Sequence, residues 1–302
     1  MKTDQPKPKC PSCKEIRTPV VRFGVYFRQC DRESVARYRC NRCRKTFSDA
    51  TFDLAFRQRR RDINQEIFSS LCSNMTMRRI AEKNRINLKT VARRFSYLDA
   101  CARARHESFL QSKPKSSAIQ FDDMETSEHT KLKPLSIALI VDQKTREILS
   151  FDVAQMPAKG HLAAISRKKY GYRKDLRSSG WKSVLKEVSS TVTSAVTVTS
   201  DSHKMYPIML HRHLPDSIHI QKVSRRACVA GFGELKKGGF DPLFSINHTA
   251  ASLRANIDRL NRRTWNTTKR PDRLKSHIAM FTYWHNERIA AKRERRRPMF
   301  AV

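Results

Sequence analysis

Alternating apolar and polar residues predict a strand that ends in two adjacent carboxylates. Ile119 and Phe121 alternate with Gln120 and Asp122, and successive side chains of a strand point to opposite faces of a sheet. The alternation therefore places Asp122 on the face opposite the apolar side chains. It places Asp123 on the same face as those apolar side chains.

A second predicted strand, at 195–201, ends in the same way. Thr197, Thr199 and Asp201 share one face, opposite two valines. Divalent cations that lie about 4 Å apart share oxygen ligands, and rigid strand ends can hold such ligands in place. Asp122 and Asp201 are therefore candidate ligands of a two-metal site. Alternatively, each residue only terminates its strand, as Asp often does.

Further apolar patterns give this part of the chain an order of three strands, helix, strand, helix, strand and a final helix. The other predicted elements are Leu135–Val141, Ile148–Ala154, Trp181–Ser190, Lys204–His213 and Ile218–Val223. This order is that of the ribonuclease-H-like fold, in which the first and fourth strands lie side by side. We therefore expect a mixed sheet that brings Asp122 and Asp201 together.

Helical patterns precede this sheet. A first amphipathic helix follows the basic run at 57–61, with apolar residues at Ile63, Ile67, Phe68 and Leu71. The segment 77–95 then matches a helix-turn-helix. The residues that carry this match are the small Ala81 at the helix crossing, the apolar Ile86 after the turn and the core residue Val91. The alternative is a three-helix subdomain with a structural role only.

The turn of this motif departs from the usual pattern at one residue. Asn87 is predicted to cap the second helix. Arg85 occupies the turn position that usually holds Gly. The left-handed backbone conformation therefore either falls to Asn84 or costs some stability at this turn.

Two CxxC pairs lie near the start of the chain, at Cys10 and Cys13 and at Cys40 and Cys43. Each pair can hold one Zn²⁺ from a tight turn, and four thiolates complete a tetrahedral structural site. The alternative is a set of unrelated buried cysteines. The cysteines without a partner at ligand spacing are interpreted as non-ligands, and these are Cys30, Cys72, Cys101 and Cys228.

Strand-like segments lie between the two CxxC pairs, at Val20–Phe27 and Ser34–Tyr38, and Phe47 follows the second pair. Two metal-binding turns that hold a sheet too small to fold alone are typical of a zinc ribbon. The sequence therefore predicts a zinc ribbon at residues 1–52.

The charge of the chain indicates its partner. The 302 residues include 62 Lys and Arg against 28 Asp and Glu, which gives a formal net charge of +34. An excess of this size predicts a polyanionic partner. Nucleic acid fits better than a membrane surface, because the sequence contains no long apolar run or amphipathic anchor. The polar start of the chain predicts no signal peptide, and we therefore expect a cytoplasmic protein whose cysteines are reduced.

Basic residues in two segments are candidate DNA contacts. In the helix-turn-helix, Lys89, Arg93 and Arg94 are predicted to face the major groove. The segment Met156–Ser179 is too charged to bury and is predicted to be an irregular, solvated loop. Its interleaved Arg and Tyr residues would also suit a distorted or single-stranded DNA end.

The last helical region completes a resemblance to a known family. Asp201 is followed by Tyr206, and Asn247 is followed seven residues later by the basic Arg254 and then by the run at 259–264. With these motifs, the zinc ribbon and the helix-turn-helix, nearly the whole chain resembles the bacterial insertion-element transposases typified by insertion sequence one. A spacing of seven residues is close to two helical turns, so Asn247 and Arg254 can meet the same DNA end.

The resemblance implies a ligand set for catalytic Mg²⁺. Asp122 and Asp201 would bridge two Mg²⁺ ions, and Asn247 would supply a neutral carbonyl oxygen where the commoner family pattern has Glu. The missing negative charge should weaken metal binding. Glu234 and His248 are rival third ligands, and Asn247 could instead be a helix N-cap.

The resemblance also implies a function, which is Mg²⁺-dependent cleavage and strand transfer at the ends of an insertion element. It implies double-stranded DNA as partner, assembly as a homo-oligomer on that DNA and a bacterial, nucleoid-associated location. The expected segments of this multidomain α/β protein are the zinc ribbon at 1–52, a DNA-binding helix-turn-helix at 53–111 and a catalytic domain with a basic C-terminal tail at 112–302. Two alternatives stay open: an inactive, transposase-derived DNA-binding regulator and a structure-selective nuclease.

Overall fold

The computed structural model describes residues 8–13, 19–29, 32–223, 241–261 and 265–296, with side chains as far as Arg293. Some residues considered in the sequence lie outside the described residues, namely Cys30, Cys228, Glu234 and 262–264. The chain divides into two compact units, Met1–Ile67 and Phe68–Val302. The three segments expected at 1–52, 53–111 and 112–302 stay a prediction.

The first unit contains a small antiparallel sheet. Its strands are β1 (Val20–Arg28), β2 (Glu33–Cys40) and β3 (Thr46–Ser48), in the order β1-β2-β3. A short 3₁₀ helix follows at Asp49–Phe52. Both strands predicted between the CxxC pairs are therefore confirmed. The hydrophobic core of this sheet is small, and it includes the cysteines Cys10 and Cys40.

Helices begin the second unit. Helix α1 (Asn64–Leu71) crosses the boundary between the units, and it is followed by α2 (Met77–Lys83) and α3 (Leu88–Ser112). The predicted helix-turn-helix is confirmed as a pair of helices, since Ile80 and Ala81 of α2 are buried, as are Val91 and Phe95 of α3.

The turn between α2 and α3 forms without a Gly residue. Arg85 itself takes the left-handed conformation with φ of +49°, whereas Asn84 has φ of −91°. The interpretation that Asn84 adopts this conformation is therefore wrong. The N–H of Ile86 donates to the carbonyl of Ala81 at 3.0 Å, which closes the turn. Asn87 caps α3 as predicted, since its side chain accepts from the N–H of Lys89 at 2.8 Å.

A five-stranded mixed sheet forms the centre of the second unit. Its strands are β4 (Ser116–Ser127), β5 (Pro134–Asp142), β6 (Ile148–Gln155), β7 (Val192–Asp201) and β8 (Ile218–Lys222). The order across the sheet is β6-β5-β4-β7-β8, with β4 antiparallel to β5 and parallel to β7. The first and fourth strands of this sheet in chain order, β4 and β7, are thus neighbours, as the order of elements predicted.

Helices cover both faces of this sheet. The remaining helices are α4 (Leu162–Tyr170), α5 (Arg177–Val188), α6 (Tyr206–His213), α7 (Phe244–Asn256) and α8 (Pro271–Arg296). One core joins the sheet to α5 and α6 through residues such as Phe121 and Trp181. A second core, which includes Leu139 and Leu253, lies against α7 and α8. Most of the sheet is therefore covered on both faces, whereas the edge strand β8 is largely exposed.

Two segments differ from the sequence prediction. Met156–Ser179 is not an irregular loop throughout, because it contains α4 and the start of α5. Ser166 of α4 is buried and its hydroxyl donates to the carbonyl of Leu132 at 2.6 Å, so the helix is anchored despite its charge. The helix α8, which buries Leu274 and Phe281, was not predicted as an element, and it extends into the basic segment near the end of the described residues. Among the described helices, none combines the length and the apolar character needed to cross a bilayer.

Candidate active site

The two carboxylates predicted to share a site lie at the same level on neighbouring strands. β4 and β7 run in parallel, and the last pair in register joins Phe121 to Ser200. Asp122 and Asp201 each follow that pair by one residue, so their side chains leave the sheet on the same face. The alternation in the sequence therefore predicted the geometry of this pair correctly.

Each of the two carboxylates is held by a backbone N–H. Oδ1 of Asp122 accepts from the N–H of Asp123 at 2.7 Å, and Oδ1 of Asp201 accepts from the N–H of His203 at 3.0 Å. Burial raises the pKa of Asp122 to about 7, and the nearby charge of Asp201 acts in the same direction. Two carboxylates this close repel each other unless a cation lies between them. The donor set therefore fits a divalent cation such as Mg²⁺, which prefers carboxylate oxygens.

Asp123 faces away from this pair, as its position in the alternation predicted. The indole Nε1 of Trp181, on α5, lies 2.9 Å from both of its carboxylate oxygens. Burial raises the pKa of Asp123, and the hydrogen bond from Trp181 opposes this effect. Adjacent residues of β4 thus serve different faces, since Asp123 anchors α5 while Asp122 stays beside Asp201.

Tyr206 supports the carboxylate pair from the α6 side. Its side chain is buried, and its ring centroid lies 4.5 Å from that of Phe121. Tyr206 lies close enough to Asp122 to lower the pKa of that carboxyl, against the larger effect of burial. Burial, together with the charges of the surrounding Asp residues, raises the pKa of Tyr206. The hydroxyl therefore stays protonated and can act as a hydrogen-bond donor beside the carboxylate pair.

Gln120 fixes the start of α7 above the face that carries Asp122. Its Oε1 accepts from the N–H of Ile246 at 2.9 Å, and its Nε2 donates to the carbonyl of Pro242 at 2.9 Å. Gln120 and Asp122 point to the same face of β4 because they are two residues apart. The side chain of Gln120 therefore brings the first turn of α7, which contains Asn247, to this face of the sheet.

Asn247 is not the N-cap of its helix. The N-cap of α7 is Leu243, and Asn247 is the fourth helical residue, with an exposed side chain. Its Nδ2 donates to Oδ2 of Asp241 at 2.8 Å. Asp241 also holds the segment just before the helix, since its Oδ1 accepts from the N–H of Leu243 at 3.1 Å.

Sequence reasoning missed Asp241. Its position two residues before Leu243 is an Asx-turn signal that could have pointed to it. The hydrogen bond to Asn247, by contrast, depends on the geometry of the first turn of α7.

The other residues proposed on α7 lie in different surroundings. The ring of His248 packs against Phe244, at 5.6 Å between centroids. Arg254 lies two turns after Asn247 on the same helix and lines a groove of about 720 Å³ together with Glu125 and Lys159. Arg254 can therefore contact a ligand that extends along α7 from Asn247.

The four cysteines of the CxxC pairs converge in the first unit. All four Sγ atoms lie within 4.8 Å of one another, with 3.7 Å between Cys10 and Cys43 and 3.9 Å between Cys13 and Cys40. Four sulfurs at about 2.3 Å from one Zn²⁺ in a tetrahedron would be about 3.8 Å apart. Hydrogen bonds from the N–H of Cys13 and of Ser12 help to lower the pKa of Cys10 to about 7. The sulfur positions thus fit a tetrahedral zinc ion.

The predicted DNA contacts of α3 do not all lie on its exposed face. Lys89 and Arg93 are exposed, whereas Arg94 is only 6% exposed. Arg94 lies three residues after Val91 and four before Leu98, on the helical face that packs into the core. The prediction that Arg94 faces the major groove with Lys89 and Arg93 is therefore wrong.

Comparison with known proteins identifies no family. No family model matches the sequence, and no curated protein matches it. Among solved structures, the chain is similar to the crystal structure of the Mos1 mariner paired end complex with Mn. That likeness has a TM-score of 0.30 and 10% sequence identity, over 77% of this chain and 76% of that chain. A TM-score this low supports no conclusion, so function has to be inferred from the residues themselves.

Proposed function

We propose that this protein is a DNA transposase with a ribonuclease-H-like catalytic domain, which binds the ends of an insertion element and cleaves and joins DNA strands there with Mg²⁺. The observation that carries the proposal is the pair Asp122 and Asp201, each one residue past the last registered pair of two parallel neighbouring strands. Further support comes from the net charge of +34, the cysteine cluster and the helix-turn-helix. The resemblance of the sequence to insertion-element transposases adds strand transfer to the proposed activity.

In the proposed site, Asp122, Asp201 and Asn247 would hold Mg²⁺. When bound, Mg²⁺ would supply the Lewis acidity that activates a water or a 3′-hydroxyl and stabilises the leaving oxygen. The chain itself would position these ligands. Tyr206 would support Asp122 from the α6 side, and Gln120 fixes the start of α7 on the face of the sheet that carries Asp122.

Asp241 would act on the orientation of Asn247. A carboxylate can only accept hydrogen bonds, so it must face the Nδ2 of the amide, and the carbonyl Oδ1 is then the atom that Asn247 presents elsewhere. The carboxylate of Asp241 also places a negative charge close to Asn247. The Glu of the commoner family pattern would have carried this charge itself. Outer residues that orient a ligand in this way tune metal affinity in many sites.

The DNA reader in this proposal comprises the zinc ribbon and α3. Zn²⁺ on Cys10, Cys13, Cys40 and Cys43 would stabilise the ribbon, and Lys89 and Arg93 would contact the DNA. Arg254 would contact the strand near the catalytic pair. Assembly as a homo-oligomer on the element ends belongs to the same proposal.

The test is to incubate the purified protein with labelled DNA that flanks its coding sequence, with and without Mg²⁺. We expect Mg²⁺-dependent nicks at discrete positions and joined products, both lost in Asp122→Ala and Asp201→Ala. Nicks without joined products would identify a nuclease instead. Specific binding without any cleavage would identify a regulator.

A further inference from the structure

A small pocket lies between α7, α8 and the turn that joins β5 to β6. Its volume is about 250 Å³. Ten residues line it, and half of them are basic residues or histidines: Arg146, His248, His285, Arg288 and Lys292. No acidic residue is among the ten. The lining therefore concentrates positive charge without a carboxylate to neutralise it.

Arg146 is the cation at the turn side of this pocket. Its side chain is half-buried, and no described carboxylate forms an ion pair with it. The neighbouring Glu147 is turned away, since its carboxylate binds Lys113 and Arg293. A half-buried cation without a counterion is costly unless an anion from outside the chain completes it.

The excess of positive charge also affects a histidine of the pocket, His285. His285 is buried, and its Nε2 lies 3.1 Å from the backbone carbonyl of Arg146. Burial lowers the pKa of His285, and the charge of Arg146 lowers it further. An anion in the pocket would raise the pKa of this ring.

Side chains of α8 line the other side of the pocket. The guanidinium of Arg288 lies 4.4 Å from the ring centroid of Trp284, so the ring restricts its position. Lys292 follows one turn later on the exposed side of α8. Planar guanidinium groups and a lysine are the groups that proteins use to bind phosphate oxygens.

We propose that this pocket binds a phosphodiester group of the DNA backbone. His248 directly follows Asn247 on α7, so a strand held here would continue toward the proposed catalytic residues. The identification of the strand as substrate DNA rests on the proposed function. The affinity of the pocket for a phosphate-type oxyanion does not, because it depends only on these residues.

The first test uses inorganic phosphate without DNA or Mg²⁺. Phosphate is titrated at constant ionic strength, with chloride as the balancing salt, while the ring resonances of His285 are followed by NMR. We expect saturable shifts and an upward movement of the pKa of His285, which Arg146→Gln combined with Arg288→Gln abolishes. Equal responses to phosphate and chloride, or an unchanged response in the double variant, would overturn the proposal.

The second test measures DNA binding as a function of salt. We expect Lys292→Gln, and the double variant, to reduce the slope of log K against log salt by about one per lost phosphate contact. Lys186→Gln on α5 is the control, since it removes the same charge from an exposed site outside the pocket. Lys292 is exposed, so its variant stays informative if Arg146→Gln fails to fold. Phosphate binding with unchanged DNA slopes would assign the pocket to free phosphate and refute the assignment to DNA.

If the protein does not cleave DNA, the phosphate titration and the salt dependence of DNA binding can still be measured. Cleavage by the wild type with no phosphate response would refute the pocket while leaving the transposase proposal standing. The two proposals therefore fail separately.

Discussion

The side-chain amide of Asn247 donates from Nδ2 to Oδ2 of Asp241 at 2.8 Å, and Asp241 stands two residues before the N-cap of the same helix. An amide held in this way has its nitrogen committed and its carbonyl oxygen directed elsewhere. If Asn247 is the third ligand of Mg²⁺, this is the orientation in which it can bind. The role of Asn247 can therefore be tested through its partner.

Asp241→Asn should weaken metal binding without loosening the helix. The side-chain oxygen of Asn can also accept the hydrogen bond from the N–H of Leu243, so the thermal stability should stay unchanged, while the lost charge should lower Mn²⁺ or Mg²⁺ affinity about 10-fold. Electron paramagnetic resonance of Mn²⁺ gives the affinity independently of cleavage. The swapped variant Asp241→Asn with Asn247→Asp should recover binding, since the pair again has one amide and one carboxylate. If the single variant binds Mn²⁺ normally, Asp241 only holds the segment before the helix.

Cleavage assays can decide whether Asn247 or Glu234 is the third ligand of the metal. Asn247→Ala should reduce cleavage severely and leave DNA binding intact, because one neutral oxygen ligand is lost from the metal. Glu234→Ala should leave cleavage near normal. Should Glu234→Ala abolish cleavage while Asn247→Ala does not, the ligand assignment is wrong.

Removal of zinc should unfold the ribbon alone. A chelator leaves the four thiolates without their metal, and Cys40→Ser leaves only three thiolates to bind it. In either case the sheet is too small to stay folded alone. We expect specific DNA binding to fall while the strands of the second unit keep their amide protection in hydrogen exchange. Cys72→Ser is the matched control, because Cys72 is a buried cysteine outside the cluster. A folded, metal-free ribbon with normal DNA binding would contradict the zinc assignment.

His277 should make the second unit sensitive to acid. It is 1% exposed, its Nε2 lies 2.8 Å from the carbonyl of Leu71, and burial together with the charge of Arg259 lowers its pKa to about 3. A folded pKa below the unfolded value of 6.5 gives stability that is present above pH 6.5 and is lost as pH falls toward 3. At pH 5 the loss should be about 2 kcal/mol.

Urea unfolding at pH 7.5 and pH 5 measures this effect. His277→Gln retains a donor for the carbonyl of Leu71, so its stability should change less between the two pH values. His211→Gln, at an exposed position on α6, should behave like the wild type. If the free energy of unfolding depends on pH equally in the wild type and in His277→Gln, His277 does not cause the loss of stability in acid.

The sequence predicted the carboxylate pair well because strand alternation has a fixed period of two. Asp122 and Asp201 could be assigned to one face without knowing any contact. Helix α8 was missed for the opposite reason, since polar residues interrupt its apolar face. Asn286, for example, is buried because its side chain pairs with both backbone groups of Ile148. Such pairings arise only from the tertiary fold. The contact of Asp241 with Asn247 is local, but it depends on the geometry of the first turn of α7.

The last prediction separates two neighbouring arginines of α3. Arg93 is exposed, so Arg93→Ala should weaken binding to the element ends and reduce the salt dependence by about one phosphate contact, with no loss of stability. Arg94 is buried against the core, so Arg94→Ala should instead lower the urea midpoint of unfolding. Its DNA affinity should stay normal at temperatures where it is folded. If Arg94→Ala reduces the salt slope while the protein keeps its stability, Arg94 reaches DNA and α3 binds it through a different face.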